Sequence, residues 1–160
     1  MDDTKAVTDY DNYWADTAPT STVFTVDNDG SVNGSGTACI AYCFHSVEGF
    51  SKMGSYTGNG DANGTFVYTG FRPKYVLIKS TSFVDIWGIH DSERSGGNPV
   101  DDTLYAHIAN QESVNDSNVK LDFLSNGFKA RGDNDAINKS GGTLVYLAFA
   151  ETPFKYANAR

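Results

Sequence analysis

The residue types able to do acid–base or nucleophilic chemistry are few and scattered. The three histidines, His45, His90 and His107, form neither a His-x-His nor a His-x-x-x-His pair, and none accompanies a Gly-x-Ser-x-Gly nucleophile. Hydrolysis of a polysaccharide would need two convergent carboxylates, and candidates for these surround one long loop. They are Asp85, Asp91, Glu93, Asp101 and Asp102. We therefore predict no enzymatic activity, with a polysaccharide depolymerase as the alternative.

Two short acidic turns resemble fragments of a calcium-binding loop. They are Asp27-Asn28-Asp29-Gly30 and Asp133-Asn134-Asp135, but neither is followed by the bidentate Glu that such a loop requires. We expect no cofactor and no metal, with calcium as the alternative. Cys39 and Cys43 would lie about 13 Å apart along one strand, too far for a disulfide. The sequence therefore predicts two free, buried thiols.

The sequence favours ligand binding over catalysis or metal binding, because aromatic faces stack on sugar rings while polar side chains hydrogen-bond to hydroxyls. Such residues cluster around the segment 83–94 and its flanking strands. The candidate ligand-binding residues are Trp87, His90, Asp91, Arg94, Tyr56 and Tyr68. The loop 90–102 is the favoured location, since binding residues tend to lie on loops held by a rigid scaffold.

The elements that must position these residues are predicted to be β-strands. Of 160 residues, 39% are hydrophobic, 13% are aromatic and 16 are Gly, a composition typical of strands joined by tight turns. No window keeps a helical period for three turns. The net charge of −8 argues against nucleic-acid binding, and no apolar run is long enough for membrane insertion. The polar N-terminus is not a secretion signal, which fits synthesis in a cytoplasm.

An internal repeat organises the chain. Residues 32–44 align without gaps on residues 137–149, and Phe24-Thr25-Val26 matches Phe128-Lys129-Ala130 with one residue of slippage. Convergence of two ordinary turns is the alternative. We interpret each copy as a β-hairpin. Residues 1–46 are then the back half of a preceding unit, and residues 47–160 form a complete unit.

The complete unit is predicted to be an antiparallel β-sandwich, of jelly-roll or concanavalin/lectin-like type, preceded by the leading β-hairpin. Its most apolar strands are expected at residues 74–79 and 144–150, and Asn126-Gly127 predicts a hairpin turn. Further strands are expected at residues 52–57, 65–68, 83–89, 104–108 and 119–123.

Four segments resemble an uncharacterised C-terminal domain of marine bacteriophage tail-fibre and tail-associated proteins. They are residues 47–60 (VEGFSKMGSYTGNG), 66–73 (FVYTGFRP), 122–129 (DFLSNGFK) and 148–160 (AFAETPFKYANAR). The resemblance implies a virion component in the tail, often in tandem copies. It further implies a homotrimer that binds a surface polysaccharide or protein receptor on a bacterial host. It transfers no catalytic residue. A purely structural trimeric fibre or virion-decoration domain is the alternative.

Overall fold

Alternation of apolar and polar residues produces the strands of this chain, as one face of each strand becomes buried. The computed structural model describes residues 11–153. Within that range it has eight strands: β1 (Ser51–Thr57), β2 (Phe66–Tyr68), β3 (Pro73–Ser80), β4 (Trp87–Asp91), β5 (Leu104–Tyr105), β6 (Leu121–Leu124), β7 (Gly127–Ala130) and β8 (Thr143–Ala150). Three single-turn helices accompany them: α1 (Asp11–Trp14), α2 (Gly30–Asn33) and α3 (Asp135–Asn138).

The strands form two antiparallel sheets. The larger has the order β1-β8-β3-β4-β5 and the smaller has the order β2-β7-β6. The strand β8 lies at the centre of three, paired with β1 on one edge and with β3 on the other. The prediction of an all-β, antiparallel, sandwich-like fold is therefore confirmed.

The core lies between the inner faces of the two sheets. Phe128 of the small sheet packs edge-to-face on Tyr56 and Tyr146 of the large sheet, with ring centroids 5.8 and 5.4 Å apart. Full burial of a side chain such as Phe128 stabilises the fold by about 2–3 kcal/mol. Other members of this core are Val67, Val76, Ile78, Val100, Leu121, Phe123, Ile137, Leu144 and Ala148.

The segment that follows β7 is not part of a hairpin, contrary to the interpretation of the repeat. β7 belongs to the small sheet and β8 to the large one, so the chain crosses between sheets at this point. The helical turn α3 causes the crossing. Asn134 caps it by accepting a hydrogen bond from the backbone N–H of Ala136, which ends the extended conformation of β7.

The described residues fall into two compact units, 11–43 and 44–153. The first unit contains α1, α2 and extended chain but no strand in its described residues, so the predicted leading hairpin is wrong. A strand needs a neighbouring backbone, and among the described residues none is hydrogen-bonded along residues 38–44. For the same reason Cys39 and Cys43, although free as predicted, are exposed rather than buried.

The segment before β4 also departs from its predicted strand. Residues 81–84 form a bend and residues 85–86 lie outside any strand. The amino group of Lys79 donates to the carbonyl oxygens of Phe83 and Asp85 at 3.5 and 2.9 Å. His90 and Asp91 consequently lie in β4 rather than in the loop predicted for residues 90–102. Residues 1–10 of the first predicted domain and 154–160 of the second lie outside the described range. Across the described residues, no helix is long and apolar enough to cross a membrane.

Candidate ligand-binding site

Two of the predicted ligand-binding residues, Asp91 and Arg94, come together at the end of β4. The guanidinium of Arg94 donates to the Asp91 carboxylate at 2.5 Å, to Glu112 and to the carbonyl oxygen of Ile89 at 3.0 Å. Asp91 also accepts the backbone N–H groups of Glu93 and Arg94 at 3.1 and 3.0 Å. This polar cluster ties β4 to the loop that follows β5.

Charge and hydrogen bonding set the protonation of the polar cluster. Partial burial alone would raise the pKa of Asp91, but the hydrogen bonds and charge of Arg94 outweigh it and leave that pKa below its ordinary value. Burial likewise disfavours the charged form of Arg94. Its bonds to Asp91 and Glu112 reverse that effect and raise the pKa of the guanidinium. Both groups therefore stay ionised near neutral pH. The Asp91 carboxylate and the Arg94 guanidinium are already hydrogen-bonded to each other.

A shallow, open depression lies beside the polar cluster. It is lined by Tyr105, Ala109, Asn110, Gln111, Glu112 and Ser113. The amide side chains of Asn110 and Gln111 are exposed and carry both donors and acceptors. The depression can therefore hold a small polar ligand, with Tyr105 as its aromatic wall.

His90 is fully buried on the inner face of β4, so it cannot present its ring to a ligand on the surface. Its Nδ1 lies 3.5 Å from the Thr103 hydroxyl, and its Nε2 has no partner among the described residues. Burial first, and then the charge of Arg94, lower the pKa of His90 to about 4, against opposing effects of Asp116 and Asp91. His90 is consequently a neutral core residue at physiological pH.

The two tyrosines proposed as ligand contacts have opposite environments. Tyr56 lies in the core, where its hydroxyl donates to the carbonyl oxygen of Ile137 at 2.6 Å and burial raises its pKa. Tyr68 lies on β2 with 64% of its surface exposed. Only Tyr68 of this pair offers an aromatic face to solvent.

Tyr68 shares the outer face of the small sheet with a second exposed aromatic residue. Phe66 lies two positions earlier on the same strand, 44% exposed, and its ring rests over the backbone of Gly127. We call Phe66 and Tyr68 the aromatic platform. Gly127 is buried, and a side chain at this position would meet the Phe66 ring at 3.0 Å and the carbonyl oxygen of Val67 at 2.1 Å, so glycine allows the ring to lie against the backbone of β7.

Charged side chains flank the aromatic platform. Lys129 lies opposite Phe66 across the β2–β7 pair, and Asp122 lies opposite Lys129 on β6. The Asp122 carboxylate pairs with Arg131 at 3.2 Å, and both side chains remain partly exposed. The platform thus combines apolar stacking surface with donors and acceptors on one face.

The outer face of the large sheet carries a different feature. One apolar residue from each of its five strands lies in register with the next, forming a row that crosses the whole sheet. This apolar stripe consists of Met53, Leu147, Leu77, Ile89 and Leu104. At about 4.8 Å per strand it is roughly 19 Å long. Trp87 lies on the same face, half-buried, in the neighbouring row.

The acidic residues considered for calcium or hydrolysis serve internal roles. Asp29 and Asn134 cap α2 and α3, and the described residues contain no group of three potential ligands that could hold a metal ion. Glu93 pairs with Lys74, and Asp102 accepts the backbone N–H of Asn115 at 2.9 Å. In these contacts the side chains of Asp29, Glu93 and Asp102 stabilise the local backbone and neighbouring side chains.

Sequence reasoning missed several residues of these surfaces. Glu112 joins the polar cluster from 18 positions beyond Arg94, and no local pattern links the two. Phe66 could have been found, since it alternates with Tyr68 around Val67, which is buried. That alternation places both aromatic rings on one face.

The fold and these surfaces define an all-β, sandwich-like module with an exposed aromatic platform. The chain belongs to the family described as a domain of unknown function, DUF7483, which it matches over residues 1–153. No curated protein and no solved structure matches it.

Proposed function

We propose that this chain is a bacteriophage tail-fibre-type adhesin module that binds surface glycan on a bacterial host through the aromatic platform. The observation that carries the proposal is the pair of exposed rings, Phe66 and Tyr68, on one sheet face. The module acts by receptor binding and viral attachment, without catalysis. It works in the virion tail as one copy of a homotrimer.

The physical argument rests on how carbohydrates are recognised. The CH-rich face of a sugar is apolar and stacks on an aromatic ring, and its hydroxyls need donors and acceptors nearby. Two rings on alternate positions of a strand lie about 7 Å apart and offer adjacent stacking surfaces. Lys129, Asp122 and Arg131 supply the polar groups beside them.

The polar cluster at the end of β4 is the weaker location for binding. The donors of Arg94 are directed at Asp91, Glu112 and the carbonyl oxygen of Ile89. A ligand would have to break these bonds before it could use them, which costs free energy. A ligand could enter the depression at Tyr105 without breaking the hydrogen bonds of Arg94. The depression is therefore the alternative binding site to the aromatic platform.

Removal of the aromatic platform is expected to weaken glycan binding about 10-fold or more, as loss of two stacking side chains costs more than 1.4 kcal/mol. The variant is the double substitution Phe66→Ala and Tyr68→Ala, and its matched control is Tyr105→Ala at the depression. Binding is measured on an array of bacterial polysaccharides and to whole host cells, with and without calcium.

The comparison separates the two surfaces. Loss with the double variant and retention with Tyr105→Ala support the aromatic platform. The reverse pattern moves the site to the depression. If the parent protein binds no host polysaccharide at all, the receptor-binding function is wrong.

A structural role is the second candidate, favoured by the apolar stripe. Leu104 is exposed and the other four side chains are partly exposed, and a contiguous apolar row on a surface commonly marks a protein–protein contact. A homotrimeric fibre or virion-decoration module would bury this row of five side chains between copies. In that case self-association, rather than ligand binding, is the purpose of the large sheet.

The substitution Leu147→Lys is expected to convert an assembled form to monomer, because it places a charge within the stripe, between Met53 and Leu77. Val114→Lys is the control, since Val114 is 59% exposed, lies in a loop and is not part of the stripe. Sedimentation or light scattering at tens of micromolar protein gives the mass. A parent chain that is monomeric under these conditions excludes assembly through the stripe.

A further inference from the structure

Two corners of the chain, 105 positions apart, have the same local structure. Asp29 caps α2 and accepts the backbone N–H of Ser31 at 2.7 Å, and Asn134 caps α3 and accepts that of Ala136 at 2.8 Å. The cap residues have nearly equal backbone angles, φ −66° and ψ 134° in one and φ −62° and ψ 137° in the other. These angles are typical of Asp and Asn at a helix N-cap, so the likeness of the two corners rests on its extent along the chain.

The agreement continues beyond the helical turns. Gly36 and Gly141 both adopt the left-handed conformation, with φ of 75° and 70°. The bends close with equivalent backbone hydrogen bonds, from Thr37 to Gly34 at 3.0 Å and from Gly142 to Lys139 at 2.9 Å. The corner at 29–37 is therefore a structural copy of the corner at 134–142.

In the complete unit, the corner is clamped by Asn138. Its buried amide nitrogen lies 2.8 Å from the side-chain oxygen of Asn59, 2.8 Å from the carbonyl oxygen of Asp61 and 3.1 Å from that of Gly132. Its oxygen accepts the backbone N–H of Asn59 at 3.0 Å. The counterpart in the first corner, Asn33, is exposed. The first corner thus has Asn33 at the position of Asn138, but among the described residues no turn equivalent to Asn59–Asp61 contacts it.

The strand that follows each corner shows the same contrast. β8 pairs on both edges, with β1 and β3, and buries Leu144 and Ala148 completely. Its counterpart, residues 38–45, forms neither helix nor strand, and Cys39 and Cys43 occupy the positions of Leu144 and Ala148. Both thiols are exposed.

We propose that residues 29–45 are a docking surface for the front half of a homologous unit, a polypeptide equivalent to residues 47–105 of this chain. The partner supplies counterparts of β1 and β3 for residues 38–43, whose backbone has no hydrogen-bonded neighbour among the described residues. It also supplies a turn equivalent to Asn59–Asp61 for Asn33. A second copy of this chain does not meet the requirement, because its own β8 already occupies the place between β1 and β3.

The test extends the full chain by a second copy of residues 47–105 placed ahead of Met1, which continues the 105-residue spacing of the repeat. The added segment contains no cysteine, so Cys39 and Cys43 remain the only thiols. Their reaction with a thiol-specific reagent is expected to slow by about 100-fold or more, as burial makes modification depend on opening of the docked strand. The unextended chain, with both thiols exposed, is the reference.

Two variants distinguish docking from mere proximity of the added segment. Asn59→Ala in the added copy, which removes the partner of Asn33, should restore at least about 10-fold of the thiol reactivity. Asn33→Ala should do the same in the extended chain and leave the reactivity of the unextended chain unchanged. The proposal fails if the thiols of the extended chain react as fast as those of the original, whether or not the added segment is structured. The free energy of unfolding of the unit 44–153 is measured in each sample, and an unchanged value shows that the variant has not unfolded this unit.

Discussion

Replacing Asn138 with Ala is expected to lower the free energy of unfolding of the unit 44–153 by about 3 kcal/mol. Asn138 is fully buried, and its amide is surrounded by Asn59, Asp61 and Gly132. Truncation removes the partner of four polar groups; three belong to the exposed residues Asn59 and Asp61, and the fourth is the carbonyl oxygen of the buried Gly132. Each such group costs about 1–3 kcal/mol when left unsatisfied, and local rearrangement recovers part of this.

The orientation of the amide gives a second variant. Three acceptors surround the nitrogen of Asn138 and share its two hydrogens, so this position requires a donor. Asn138→Asp would place a carboxylate oxygen among those acceptors and is expected to destabilise more than Asn138→Ala. Urea denaturation of each variant, followed by tyrosine and tryptophan fluorescence, measures the change.

The repeat provides the matched control for Asn138. Asn33→Ala makes the same chemical change at the equivalent position of the exposed corner, and it should alter stability by no more than about 0.5 kcal/mol. A loss of less than 1 kcal/mol in Asn138→Ala would show that the four hydrogen bonds contribute little net stability. Equal losses at the two positions would contradict the difference in their surroundings.

The sequence predicted those elements whose signal is local. β3 and β8 are nearly continuous apolar runs, and Asn126-Gly127 has the turn chemistry of a tight hairpin, so all three were found close to their observed places. The path from β7 to β8 was not found. Whether two successive strands join one sheet or two depends on tertiary packing, and the cap at Asn134 became visible as a corner only in three dimensions.

The surface residues, too, were predicted where the signal is local and were not predicted where tertiary packing decides. Asp91 and Arg94 were grouped because both lie in the segment 83–94, and the structure pairs them at a spacing of three residues. Tyr56 and Tyr68 could not be separated, since both occupy alternating strands, and only the pairing of the sheets decides that Tyr56 faces the core. The repeat predicted that residues 38–45 correspond to β8. The pairing of β8 with β1 and β3 identifies the two strands whose counterparts residues 38–45 lack among the described residues.

Stability is expected to fall by up to about 3 kcal/mol between pH 6.5 and pH 4 because of His90 alone. Burial lowers the folded-state pKa of His90 to about 4, whereas the unfolded chain has the ordinary value of 6.5. Within this window the unfolded state binds a proton that the folded state excludes, so unfolding becomes more favourable as the pH falls. Above pH 6.5 both states are neutral and the full stability is present.

Two variants isolate this contribution from the rest of the titration. His90→Gln cannot ionise, and its free energy of unfolding should depend much less on pH between 4 and 6.5, even if its stability at pH 7 is lower. His45→Gln, at an exposed position, should retain the slope of the parent protein. The pKa of Asp91 is lowered by its bonds to Arg94, so its contribution is lost mainly below the window and is present in both the parent and His90→Gln. Parallel curves for the parent and His90→Gln would mean that His90 can take up a proton in the folded state, which requires water or a carboxylate to reach Nε2.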